Sequence, residues 1–355
     1  MYLKTTLHYQ TNISVFFHLC IPTDLDLSLY FPSKMLHFSI IFSFLFALVY
    51  ASSGDRDDMF QQCLEQCSCT TTASDKNYWI YPPWDCYDIC EYKCMHEITN
   101  LRNKHGYPTL KYYGHWPFVR YYGLEEPASV VFSSANAIPH IMQFVIRSSS
   151  AVSSSHSLHT STSSNMSRWL WLYSLSGTIA WILSAMFHTR KTAFTTMLDY
   201  ISALIFLCLS LWISFYRIFG RVVGKVVSVI IFCFGFVMLL SRIVAMVKYP
   251  LDFGFHMNIC ISISVIQTIF WLYWALFAKD RKTITTFQKG ICVLVQVWFS
   301  AAAALEIFDF PPLWGILDAH SLWHFATIPL GFIWYHFWAL DCVCELKDEG
   351  VQKDM

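Results

Sequence analysis

The sequence predicts an all-α polytopic membrane protein: a seven-transmembrane helix bundle with a small disulfide-rich lumenal N-terminal domain. Three observations carry this. The 355-residue chain is 55% hydrophobic and only 14% charged, more apolar surface than a soluble domain needs. Seven apolar segments approach the roughly 20 residues that a bilayer-spanning helix requires. A cluster of six cysteines lies in a polar, aromatic stretch ahead of them. The formal net charge is zero, so nothing in the charge points to a nucleic-acid partner.

The N-terminus reads as processed. From Met35 the chain runs Met-Leu-His-Phe-Ser-Ile-Ile-Phe-Ser-Phe-Leu-Phe-Ala-Leu-Val-Tyr-Ala, preceded by Lys34. The apolar run is short for a span, and Val49 and Ala51 suit a cleavage site. Residues 35–51 are therefore expected to be a signal peptide, with 1–34 an upstream extension and Met35 the working initiator. An uncleaved signal anchor is the competing reading.

Residues 52–127 form the expected lumenal domain. Cys63, Cys67, Cys69, Cys86, Cys90 and Cys94 follow the signal peptide, so an oxidising compartment and three disulfides are expected. The pairing is left open by the sequence. Spacing and compartment both favour disulfides over a thiolate zinc site.

The membrane domain is expected over 128–340, with segments near 128–146, 168–187, 195–216, 226–247, 254–278, 290–308 and 320–340. The Ser-rich stretch 148–167 reads as a loop, and 341–355 as a short polar tail. With a lumenal N-terminus, the loops after the first, third and fifth segments face the cytosol. They hold Arg147, Arg168, Arg217, Arg221, Lys225, Lys279, Arg281, Lys282 and Lys289. The opposite loops hold Arg190, Lys191 and Lys248 beside Asp252, Glu306, Asp309 and Asp318. This obeys the positive-inside rule and makes the C-terminus cytosolic. The Asn165-Met-Ser sequon then falls on the cytosolic side and should carry no sugar.

This topology brings chemistry to one membrane depth. His320 and His324 lie four apart in Leu317-Asp-Ala-His-Ser-Leu-Trp-His, on one face of a helix. Both sit at the lumenal start of the last segment. His188 ends the second segment, with Ser184 one turn inward, and Asp199 begins the third. Three imidazoles and a water make an open catalytic zinc site, in which the metal lowers the pKa of its water. Asp199 suits a general base and Ser184 a donor to a developing oxyanion. His256 is a reserve ligand. His140 suits a local polar contact, and His96, His105 and His115 fit solvated positions in the N-terminal domain.

Several motifs carry a family resemblance over residues 54–345. They are Trp84-Asp-Cys-Tyr-Asp-Ile-Cys-Glu-Tyr-Lys-Cys-Met, Lys111-Tyr-Tyr-Gly-His-Trp-Pro-Phe-Val-Arg and Glu126-Pro-Ala-Ser-Val-Val-Phe-Ser. Phe187-His-Thr-Arg, Leu198-Asp-Tyr, Leu305-Glu-Ile-Phe-Asp-Phe-Pro-Pro and Asp318-Ala-His-Ser-Leu-Trp-His complete the set. The chain resembles the post-GPI-attachment lipid-remodelling proteins, within the CREST superfamily of membrane hydrolases. The superfamily pattern of one Ser, three His and one Asp falls on Ser184, His188, His320, His324 and Asp199. The resemblance implies that the histidines bind Zn2+. It also implies removal of the unsaturated sn-2 acyl chain from the phosphatidylinositol of GPI-anchored proteins, in a phospholipase A2-type step. The expected partners are those proteins and membrane lipids. The expected compartment is the Golgi membrane, or the endoplasmic reticulum. Two departures flank the site: Lys191 stands where the family has Asp, and Thr196 where it has Glu. A catalytically silent GPI-binding factor is the alternative. A seven-span receptor of the same superfamily is disfavoured, because that branch keeps its N-terminus in the cytosol.

Overall fold

The computed structural model describes residues 53–68, 84–153, 163–249, 252–277 and 286–353. The expected extension at 1–34 and signal peptide at 35–51 lie outside the described residues. What is described is α-helical, joined by short turns.

The N-terminal part is built from two helices, α1 (Asp58–Gln66) and α2 (Cys86–Lys104). Asp57 caps α1 by accepting from the amides of Met59 and Phe60. Asp85 and Asp88 close a reciprocal capping box on α2, satisfying amides that a helix start leaves open. Disulfides Cys63–Cys94 and Cys67–Cys90 join the two helices. Each partner moves by one turn in opposite chain directions, so the pairs are successive rungs between antiparallel helices. Cys86 is also disulfide-bonded. Phe60, Cys94, Ile98 and Tyr112 fill a small core under these rungs.

Six further helices follow: α3 (Pro127–Ser153), α4 (Ser163–Thr189), α5 (Ala193–Lys248), α6 (Phe253–Phe277), α7 (Thr286–Phe308) and α8 (Ala319–Lys353). Helix α5 breaks at Gly224, whose φ of 77° suits glycine. Trp212 and Phe232 flank the break with ring centroids 4.9 Å apart. A straight helix would separate them by about 30 Å, so the two limbs of α5 fold back on each other. This supplies the third and fourth apolar segments.

Six stretches are long and apolar enough to cross a membrane: Pro127–Ser148, Met166–Thr189, Ala193–Gly220, Val222–Lys248, Phe253–Phe277 and Thr286–Phe308. The chain is thus an all-α polytopic membrane protein. The segment expected at 320–340 is helical, within α8, but is not among these six. It carries His320, Ser321, His324 and Thr327 on buried or half-buried positions. Its three histidines, His320, His324 and His336, and three tryptophans lower the hydropathy of this stretch.

Neighbours pack in a closed ring, from α3 through α4, α5, α6 and α7 to α8 and back to α3. The α6–α8 seam is filled by Trp271, Trp334, Phe337 and Trp338; the Trp271 and Trp334 rings meet edge-on at 4.9 Å. On the α3–α4 seam, a Cβ on Gly177 would collide with the His140 ring. His140 itself meets the Tyr335 hydroxyl at 2.8 Å, a local polar contact. At one end of the bundle, Arg217 of α5 forms a bidentate pair with buried Asp341 of α8, at 2.6 and 2.7 Å.

The opposite end carries the cysteine-rich part. Trp116 donates to Asp309 at 2.9 Å, and Lys111 pairs with the same carboxylate. Arg190, just beyond α4, reaches Asp88 of α2 at 2.7 Å. The Trp84 ring lies between two guanidinium groups, Arg120 at 3.6 Å and Arg190 at 3.7 Å. Cation–π contacts of this kind lock the two parts together.

Candidate metal centre

Under that cap three histidines converge. His188 comes from the last turn of α4, His320 and His324 from the first turns of α8. Their Nε2 atoms are 3.4 Å apart for His188–His320, 3.2 Å for His188–His324 and 2.9 Å for His320–His324. Imidazole nitrogens bind zinc at about 2.0–2.1 Å, which in a tetrahedron places them about 3.3–3.4 Å from each other. The three residues present therefore fit a metal ion. Three ring nitrogens aimed at one point would otherwise crowd lone pairs or protons together. His188 and His324 are buried, and His320 is half-buried, so the cluster has one partly open side.

The far nitrogens are held too. His188 Nδ1 lies 2.5 Å from Glu126 Oε2. His320 Nδ1 lies 2.6 Å from Glu306 Oε2. A carboxylate on Nδ1 fixes the tautomer that presents the Nε2 lone pair, and it raises that nitrogen's basicity. His324 Nδ1 is buried and finds no hydrogen-bond partner. Instead its ring is wedged against Trp181, with centroids 5.3 Å apart. Its backbone carbonyl accepts from Asn136 of α3 at 2.7 Å.

Ser184 is buried one turn inward from His188, with its hydroxyl 3.2 Å from that of Ser133 on α3. Asp199 lies in the second turn of α5, where its charged neighbours are His320 and Glu126. The reserve ligand His256 is not in the cluster. Its ring stacks on Tyr200 at 4.7 Å, and its Nε2 lies 3.5 Å from Cys260 Sγ.

Lys191 is part of the centre. Its ammonium pairs with Glu126 Oε1 and lies 2.8 Å from His115 Nδ1. Its amide donates to Glu125 Oε2 at 2.6 Å. Burial opposes the charge on Glu126, yet Lys191 and then His188 hold that carboxyl well below the usual carboxylate range. Glu125, with weaker compensation from Lys191 and Arg120, is pushed up by burial to about 7. His115 is exposed, as expected, and also touches this network.

Glu126 and Glu306 were not among the expected site residues. Both stand at the ends of apolar segments, at the depth of the histidines. A carboxylate inside such a boundary is costly unless paired, and that cost was the available signal.

Residues 78–342 match the Per1-like family. The chain belongs to the Per1-like family. Members similar to it include a Xenopus laevis protein named "GPI-specific phospholipase A2-like PGAP3", 33% identical over 326 residues, covering 87% of this chain and 97% of that one. A Danio rerio protein of the same name is 29% identical over 318 residues, covering 86% and 95%. The Drosophila melanogaster "Post-GPI attachment to proteins factor 3" is 30% identical over 303 residues, covering 80% and 87%. Within this Per1-like chain the family match, 78–342, ends inside α8 and includes the histidine cluster and its carboxylates.

Proposed function

We propose that this Per1-like protein remodels GPI lipids as a zinc-dependent ester hydrolase. In this reading it removes the unsaturated sn-2 acyl chain from the phosphatidylinositol of GPI-anchored proteins and leaves a lyso-GPI. The convergence of three Nε2 atoms at the end of a membrane bundle carries the proposal. The names of its relatives, which speak of a GPI-specific phospholipase A2-like protein, support the substrate class.

His188, His320 and His324 would hold the metal. Zinc bound there would supply a Lewis acid and a water of lowered pKa. The chain's own groups do the rest. Glu126 and Glu306 keep the Nδ1 protons of His188 and His320 turned outward. Asp199 takes the proton of the attacking water on a carboxylate oxygen. Ser184 donates its hydroxyl to the oxyanion that forms on the ester carbonyl, with Ser133 orienting it. The half-buried side at His320 admits the ester from the lipid boundary. The positive-inside charge pattern supports a lumenal site and a cytosolic C-terminus, in a Golgi or endoplasmic reticulum membrane.

A catalytically silent GPI-binding factor is the second reading, favoured by the Lys191 ammonium on Glu126. The test combines zinc content of the purified protein with GPI lipid analysis. Wild type should contain zinc and release lyso-GPI, and His320→Ala should do neither. Full rescue of remodelling by His320→Ala in cells lacking the protein overturns the hydrolase. Zinc-loaded wild type that releases no lyso-GPI selects the silent factor.

A further inference from the structure

The second limb of α5 is almost wholly apolar. Between Lys225 and Lys248 its only charged side chain is Arg242. Val237, Met238, Leu240, Val244 and Val247 around it are exposed, as suits a helix against lipid. Arg242 lies six residues inside Lys248, about 9 Å along the axis, near the end of the bundle that carries the histidine cluster.

An arginine at this depth normally extends to water along its aliphatic stem or pairs with a carboxylate. Arg242 is half-buried, but part of its head group is closed off from water. Its Nε and Nη2 are buried and have no hydrogen-bond partner among the described residues. Among the described residues no carboxylate pairs with it. Its guanidinium lies over the Phe255 ring at 4.6 Å, and its charge acts on His256 and Cys260 of α6. The fork is thus held against α6 with two donors unused.

A second unused donor stands beside it. His256 is 4% exposed, and its Nδ1 has no hydrogen-bond partner among the described residues. Its Nε2 faces the Cys260 thiol at 3.5 Å. If Nε2 accepts from that thiol, the proton sits on Nδ1, free to donate. The His256 ring stacks on Tyr200, which follows Asp199 and whose ring lies 6.1 Å from that of Phe187, next to His188.

We infer that Arg242 and His256 form an anion subsite that takes the phosphodiester of a membrane phospholipid, with the rings of Tyr200 and Phe187 between it and the histidine cluster. A planar guanidinium matches two phosphate oxygens at once, and His256 supplies a further donor. The cost of an uncompensated cation in an apolar limb is removed when the lipid binds. A phospholipid whose phosphate rests here carries its sn-2 ester only a glycerol backbone away. This deepens the hydrolase reading and rests on it for the identity of the lipid.

The test measures binding with an ether-linked, fluorescent phosphatidylinositol, which cannot be hydrolysed, so a failure of catalysis leaves the readout intact. The full-length protein is used in detergent, with inorganic phosphate and a diacylglycerol of the same chains as further probes. Arg242→Met should bind phosphatidylinositol at least about tenfold more weakly, as befits a lost charged hydrogen bond. It should bind diacylglycerol as wild type does, and unfold at the same or a higher temperature. Arg242→Lys, which keeps charge and loses the fork, should fall between, and it carries the test if Arg242→Met does not fold. Unchanged phosphatidylinositol affinity in a folded Arg242 variant overturns the subsite. Phosphate that binds to wild type and not to Arg242→Met, with lipid affinity equal in both, overturns the lipid as its ligand.

Discussion

Glu126 Oε2 lies 2.5 Å from His188 Nδ1, while its other oxygen takes the ammonium of Lys191. One carboxylate therefore joins a metal-ligand candidate to a cation that lies outside the cluster. Removing its charge should loosen the metal. Glu126→Gln is expected to lower zinc affinity about 10- to 100-fold, read by competition with a chromophoric chelator. Unchanged affinity would mean that His188 needs no carboxylate behind it.

Lys191 supplies the opposite test. It places a positive charge across the Glu126 carboxylate from His188, and two cations repel in a low-dielectric setting. Lys191→Met should bind zinc more tightly, on the order of tenfold, or roughly 1.4 kcal/mol. The same chelator titration measures it. Weaker zinc binding would instead make Lys191 the anchor that keeps Glu126 in place.

The apolar segments were legible because lipid demands long uncharged helices. The turn at Gly224 was legible as a basic gap between two of them. His188, His320, His324, Ser184 and Asp199 could be brought to one depth by counting residues from segment ends. Contact partners were not legible. Glu126 lies 62 residues from His188, and the bond between them depends on how α3 enters the bundle. The sequence left cysteine pairing open because many pairings satisfy one spacing; the antiparallel stacking of α1 and α2 selects Cys63–Cys94 and Cys67–Cys90. The segment at 320–340 is helical, but His320, His324, His336 and its tryptophans leave it less apolar than its neighbours.

The disulfide rungs should stabilise the cap more than its small core does. Cys63 and Cys94 close a loop with a sequence separation of 31. Opening it releases chain entropy worth about 3 kcal/mol. The double variant Cys63→Ser, Cys94→Ser should melt at a lower temperature in thermal scans of the purified protein. The gap to wild type should shrink when both are reduced. Equal melting temperatures without reductant would show that the Cys67–Cys90 rung suffices.

Asp88 ties the cap to the end of α4, and its charge gives that tie a pH dependence. Burial opposes ionisation, but the Arg190 hydrogen bond and the Asp85 amide outweigh it and hold the Asp88 carboxyl below its ordinary value. An unfolded Asp titrates near 3.9. A folded value below that means stability present above about pH 4 and lost as pH falls through the folded value. Asp88→Asn keeps the shape and removes the charge. With the side chain 27% exposed, solvent screening limits the cost to about 1 kcal/mol or less at neutral pH. Thermal melts of both proteins from pH 7 down to pH 3 should start apart and converge at the acid end. A gap that stays constant with pH would assign the effect of Asp88 to helix capping rather than to its pair with Arg190.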